Sequence, residues 1–225
     1  MSSDVRLRLI LKDWRQNRRI IALSIIGGVV ALGLLLIGGE TFTVLGAVFF
    51  FMSIIFCAAI LPTSNIVNER KKKTLAFVMS LPISPAQYGI AKLVSTLGMF
   101  LIPWVTLIAA ALYMILERHV LPAGTIPTAL ILAIAPLLGF CLITGTAIVA
   151  ESETWATAAT AIVTSSYWLA WYLIASDAPS LTRTWSSPVA VWNAAAVDIL
   201  AAEFAAIMII LILTTVLQAR KRDFV

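Results

Sequence analysis

The chain contains a single histidine, His119, and only two cysteines, Cys57 and Cys141. One histidine leaves no HExxH zinc site, and no G-x-S-x-G turn accompanies it for Ser-His-Asp chemistry. His119 reads as a solvated loop residue. Both cysteines fall inside apolar runs, where they read as small buried hydrophobes and not as a disulfide or metal pair. No glycine is followed by G-K-S or G-K-T, so the chain has no phosphate loop with which to bind and hydrolyse ATP. No pair of carboxylates stands at membrane depth for acid/base work. The chain is therefore not read as an enzyme, and no metal or cofactor is expected on it. Charge is scarce as well, at 12% of residues against 61% hydrophobic, which excludes a soluble domain built around a core and leaves an integral membrane protein.

What the chain has is long apolar runs. A bilayer core takes roughly twenty apolar residues per helix, and six segments qualify: residues 20–38, 42–61, 90–116, 128–150, 155–175 and about 199–217. The reading is an all-α membrane protein, a single transmembrane domain over residues 1–225 with no soluble domain between the spans. Nineteen mostly polar residues precede the first run, which is expected to stay as a span and not to be cleaved as a signal peptide. Six spans put both termini on one side. There is no internal repeat of 20 to 50 residues.

The basic residues choose the side. Six lie in the N-terminal segment (Arg6, Arg8, Lys12, Arg15, Arg18, Arg19), five in the polar segment 63–92 (Arg70, Lys71, Lys72, Lys73, Lys92) and three in the tail (Arg220, Lys221, Arg222). Arg118 and Arg183 alone remain for the other face. The positive-inside rule places both termini and segment 63–92 in the cytoplasm of a multi-pass protein. Residues 1–19 mix Val5, Leu7, Leu9, Ile10, Leu11 and Trp14 with six of these cations, as expected of a basic amphipathic helix in the headgroup layer against anionic lipid. The net charge of +5 is thereby explained by topology, and no nucleic-acid partner is needed.

Segment 63–92 organises the rest. After the charge cluster Glu69 to Lys73 come Leu75, Phe77, Val78, Met79 and Leu81, whose spacing suits a short helix with one apolar face. Pro82 and Pro85 force a turn. Ser84 then stands as an N-cap, with Pro85 at the first helical position and Gln87 completing a capping box. A surface helix, a rigid turn and a capped helix rising into lipid form a lever that another protein can push.

The external loop at residues 176–198 holds Pro179, Trp185, Pro188 and Trp192, and Ser187-Pro188 predicts a short helix starting outside and running into the sixth span. Pro103 and Pro136 lie mid-span, where neighbours must satisfy the freed backbone groups and kinks are expected. Thr154, Thr157, Ala161 and Ser165 make a small, hydroxylated face on the fifth span, favoured as a packing face over a polar pathway. Glu203 is the one ionisable residue clearly inside a span, about 7 Å below the outer boundary. Two readings of it stand: an external gate, or a glutamate reaching headgroups or water.

Asn68-Glu69-Arg70, Thr74-Leu75, Ser80-Leu81-Pro82-Ile83-Ser84 and Lys92 together resemble the cytoplasmic segment of ABC-2-type exporter permeases, in which an E-R, a G-T-L, an S-L-P-[IV]-S and a downstream lysine recur between the second and third spans. The layout of the whole chain is similar to that family. Lys73 departs from it where a glycine usually stands, and Pro85 where a basic residue often follows the serine. The resemblance implies a bacterial cytoplasmic-membrane permease that pairs with a second permease copy or paralogue and with two cytosolic ATPase subunits, which carry the ATP and magnesium. It implies that Glu69, Arg70, Lys73, Thr74, Leu75, Phe77, Leu81, Pro82 and Ser84 form the coupling element to the ATPase. It also implies that the first and fifth spans line the dimer interface and pathway, through Gly27, Gly28, Gly33, Thr157, Ala161 and Ser165. Their uncharged lining suits an amphipathic or apolar cargo. An ion-gradient-driven secondary transporter or channel is the alternative, although the spans offer no carboxylate pair and no matched broken segments for it. A non-transporting membrane scaffold is a third.

Overall fold

The computed structural model describes residues 2–68, 85–150, 152–177 and 179–220. Among them there are six long helices and no strand: α1 (Ser2–Ile37), α2 (Glu40–Pro62), α3 (Pro85–Leu116), α4 (Ile126–Val149), α5 (Glu153–Asp177) and α6 (Ala194–Arg220). Five stretches are long and apolar enough to cross a membrane: Leu11–Ile37, Glu40–Val67, Tyr88–Leu116, Ala123–Val149 and Ala194–Arg220. Helix α5 has 25 residues, about 38 Å at 1.5 Å per residue. It lies outside that set, and its middle mixes Thr157, Thr160, Thr164, Ser165 and Ser166 into the apolar sequence.

The N-terminal segment and the first run form one unbroken helix. The expected boundary near residue 19 holds no breaker, since no glycine or proline occurs between Ser2 and Gly27. The buried positions from Asp13 onward are Asn17, Ile21, Ser24, Gly28, Ala31, Leu32 and Leu35, a single stripe at i, i+3 and i+4 spacing. At its end Gly38 and Gly39 take φ of 77° and 84°, a left-handed conformation that suits glycine, and the Gly39 carbonyl accepts from Thr43 N at 3.0 Å to open α2. This two-residue reversal lays α2 against α1. A Cβ at Gly46 would stand 3.0 Å from the Ala31 carbonyl oxygen, so the backbones approach closely there.

Helix α4 is the centre, packing on α2, α3, α5 and α6. Phe140 of α4 stacks on Phe100 of α3, with ring centroids 4.3 Å apart and planes 6° from parallel. Both helices continue through their prolines, Pro103 and Pro136. Pro136 cannot donate to the Leu132 carbonyl four residues back. The Tyr167 hydroxyl of α5 donates to that oxygen instead, at 3.4 Å, and Trp104 Nε1 of α3 donates to the Ala133 carbonyl at 2.7 Å. At Pro136 a neighbouring helix thus takes up the freed carbonyl, as expected of a membrane bundle.

The loop before α6 corrects one expectation. A four-residue helix, Pro179–Thr182, does occur there, but residues 187–193 are not helical and Ser187 starts no helix. Its carbonyl accepts from Gly124 N at 2.9 Å, while Trp185 Nε1 donates to Thr128 Oγ1 at 2.9 Å, so this part of the loop is held down on the α3–α4 connection. The cap of α6 is Asn193, whose Oδ1 accepts from Ala196 N at 2.8 Å.

Candidate functional site

Nine residues expected to contact an ATPase, Glu69, Arg70, Lys73, Thr74, Leu75, Phe77, Leu81, Pro82 and Ser84, lie outside the described residues. The two chain ends that frame them are described. Helix α2 continues past Pro62 into a π-helical turn, Thr63–Val67, and α3 is helical from Pro85. Between these ends sits a polar node inside the protein.

Lys92 of α3 is 2% exposed. Its Nζ donates to both carboxylate oxygens of Asp13 on α1, at 2.9 Å each, and to the backbone oxygen and Oδ1 of Asn65, at 3.3 and 3.2 Å. Asn65 Nδ2 donates to Thr96 Oγ1 at 2.7 Å, and Thr96 Oγ1 donates to the Lys92 carbonyl at 2.7 Å. Ser95 Oγ donates to Asp13 Oδ2 at 3.1 Å. One turn further on, Asn17 Nδ2 donates to the Asp13 carbonyl at 2.9 Å.

The local fold explains each position. Asp13 and Asn17 extend the buried stripe of α1 by one polar turn, while Lys12, Arg15, Arg18 and Arg19 face outward. Lys92 and Thr96 extend the stripe of Phe100, Pro103 and Leu107 on α3 in the same manner. The π-helical turn alters the register after Pro62, as single π turns do in helices at functional sites, and puts both oxygens of Asn65 on the lysine. Burying an ion pair carries a large desolvation cost, balanced here by charge-assisted bonds to nearly every member. Such a node fixes one arrangement of its helices, because no partial version of it is tolerable.

None of these partners was foreseeable from amphipathicity alone. Asp13 looks like one more polar residue of a basic helix until its register with Ile21 and Gly28 is followed. Lys92, counted above among the surface cations, is an internal ligand of Asp13.

The span residues divide into two sets. Gly27 and Gly28 serve contacts within this chain: a Cβ at Gly27 would touch Ser53 of α2 at 3.4 Å, and one at Gly28 would meet Leu107 of α3 at 2.3 Å. Gly33 has nothing within 4 Å of an added Cβ and is exposed, as are Thr157, Ala161 and Ser165 on α5. These four lie on outer faces of α1 and α5. Glu203 of α6 lines a separate cleft with α2, α4 and α5.

A family model for ABC-2 family transporter proteins matches residues 8–173, which includes both ends of the node and the first five helices. Neither the curated proteins nor the solved structures yielded a match.

Proposed function

The chain belongs to the ABC-2 family of transporter proteins, and from that membership we propose that it is the permease of an exporter driven by ATP hydrolysed on separate cytosolic subunits. The observation that carries the reading is the placement of the node. Asn65 stands just before segment 69–84 and Lys92 just after it, and Lys92 bonds both Asn65 and Asp13 of α1. A push on that segment by an ATPase therefore reaches α1, α2 and α3 at one point. Closure of the ATPase pair on ATP and magnesium moves the three helices together and opens the spans toward the outside.

In this reading α5 is the fifth of six spans, both termini are cytoplasmic, and the protein sits in the cytoplasmic membrane among anionic lipids. The exposed faces around Gly33 on α1 and around Thr157, Ala161 and Ser165 on α5 meet a second permease, where small residues let helices approach. Their lack of charge fits an amphipathic or apolar cargo.

Affinity purification of the tagged chain from its native membrane should bring down an ATP-binding-cassette chain, identified by mass spectrometry. Charge reversal at Lys71, Lys72 and Lys73 combined with Phe77→Asp should release it. Retention of the ATPase by that variant would remove segment 69–84 from the docking role.

A further inference from the structure

Across the bundle from the node, a cleft of about 280 Å³ opens between α2, α4, α5 and α6. Its walls are apolar, from Ile55 and Ala58 on α2 through Pro136 and Gly139 on α4 to Val163 on α5, apart from three hydroxyls and the carboxylate of Glu203. Each hydroxyl has already committed its single proton. Tyr167 donates to the Leu132 carbonyl that Pro136 leaves free, at 3.4 Å. Thr164 donates to the Thr160 carbonyl, and Ser166 to the Ile162 carbonyl at 2.6 Å. Glu203 Oε2 is buried and has no hydrogen-bond partner, and the cleft lining holds no lysine, arginine or histidine.

Glu203 lies five residues past Asp198 in α6, about 7 Å along the helix, and so below the headgroup layer. A bare carboxylate at that depth is costly and is ordinarily paired or engaged in function. Among the described residues no donor reaches Oε2, and the cleft lining offers no cation. We propose that the cleft is a binding site for the ammonium group of an amphipathic molecule, with Glu203 as its counter-ion and the apolar walls holding the adjoining hydrocarbon. The volume is just under the range of about 300–1,000 Å³ usual for small-molecule sites, enough for a head group and a short length of chain. The remainder of a longer chain would extend through the open mouth of the cleft. A free alkylamine and the ethanolamine head of a phospholipid share this chemistry. The inference rests on the membrane placement and does not require the ATPase, so binding is measured on the permease alone.

The test uses the full chain in nanodiscs of an uncharged glycosyl diacylglycerol, with radiolabelled dodecylammonium as probe, dodecanol as its uncharged counterpart, and empty discs as background. Saturable binding of the ammonium is expected. Glu203→Gln should weaken it at least tenfold with dodecanol uptake unchanged, and Glu117→Gln, in the exposed α3–α4 loop, should leave it intact. Ala59→Phe, which fills the cleft from α2 with Glu203 still in place, should also abolish it. Thermal unfolding of each variant separates loss of the site from loss of the fold. Adding phosphatidylethanolamine to the discs distinguishes the sources: a rise of fivefold or more in the apparent Kd identifies the lipid head as the resident ligand, and no change identifies a free amphiphile. Absence of saturable binding, equal affinity in Glu203→Gln, or equal saturable uptake of dodecanol would overturn the proposal.

Discussion

Lys92 and Asp13 are separated by 79 residues in the chain and by 2.9 Å in space. The pair joins the first helix to the third, beside Asn65 in the turn that follows α2. A lysine and an aspartate could each be tolerated here as a solvated surface charge, but with 3% and 1% of their side chains exposed they are viable only together.

Removing one partner of a buried pair typically costs about 3–5 kcal/mol, because the other is left charged and unpaired. Lys92→Met and Asp13→Leu are each expected to destabilise the protein by that order. The double variant should lose less than the sum of the two, giving a coupling energy of roughly 1–3 kcal/mol in a double-mutant cycle. Unfolding in mixed micelles by titration with denaturing detergent measures it. Strictly additive losses would mean that the two side chains do not depend on each other. If the double variant folds, its ATPase rate should persist while cargo flux falls, since the helices would no longer be locked at one point.

The proposed topology of six spans with cytoplasmic ends rests on fourteen of sixteen basic residues lying in the N-terminal segment, segment 63–92 and the tail. In a background with Cys57 and Cys141 replaced by alanine, a probe cysteine at Ser180 should react with an impermeant maleimide added from outside, and one at Ser64 should not. The opposite labelling pattern would invert the protein and place segment 69–84 out of reach of any cytosolic ATPase.

The helical bundle was legible because apolar runs of bilayer length permit little else. Its boundaries were legible only where a breaker stands: Gly38 and Gly39 end α1 as the residue types demand, whereas nothing in the sequence near residue 19 stops the helix, and it runs on. Ser187-Pro188 carried the local signature of a helix start. The Ser187 carbonyl is instead bonded to Gly124, a contact 63 residues away that no local pattern encodes. The node was hidden for a related reason. Each of its members is polar, and polarity at a span end reads as exposure unless the register of the buried stripe is carried past the apolar boundary. Glu203 was legible as an intramembrane carboxylate, but its isolation depends on three hydroxyls being engaged by backbone, which only the fold decides.

If a second permease packs on the outer faces of α1 and α5, cysteines at Gly33 and Ser165 should each cross-link between copies, or to a paralogue, under mild oxidation in the membrane. Thr144 is fully buried in α4, and a cysteine there should not. Cysteines at Phe204 and Met208, exposed on α6, serve as the competing arrangement. Cross-linking from α6 and not from α1 or α5 would move the dimer interface to the far side of the bundle.

If Pro82, Ser84 and Pro85 make the turn that their residue types predict, that turn should matter for coupling more than for assembly, since it would set the angle at which segment 69–84 hands motion to α3. Loss of a serine N-cap usually costs about 1 kcal/mol, small against a bundle whose α4 is buried on nearly every side. Replacing the two prolines as well would let the segment and α3 merge into one helix or hinge freely. A Pro82→Ala, Ser84→Ala, Pro85→Ala variant is therefore expected to insert, to pair and to bind its ATPase, with less cargo moved per ATP hydrolysed. Flux and hydrolysis measured side by side in reconstituted vesicles give that ratio. An unchanged ratio in a folded variant would make the turn a mere connector, and motion would then have to enter through α1. In that case charge-neutral substitution of Asp13, which severs α1 from Lys92, should lower the ratio where the turn variant did not.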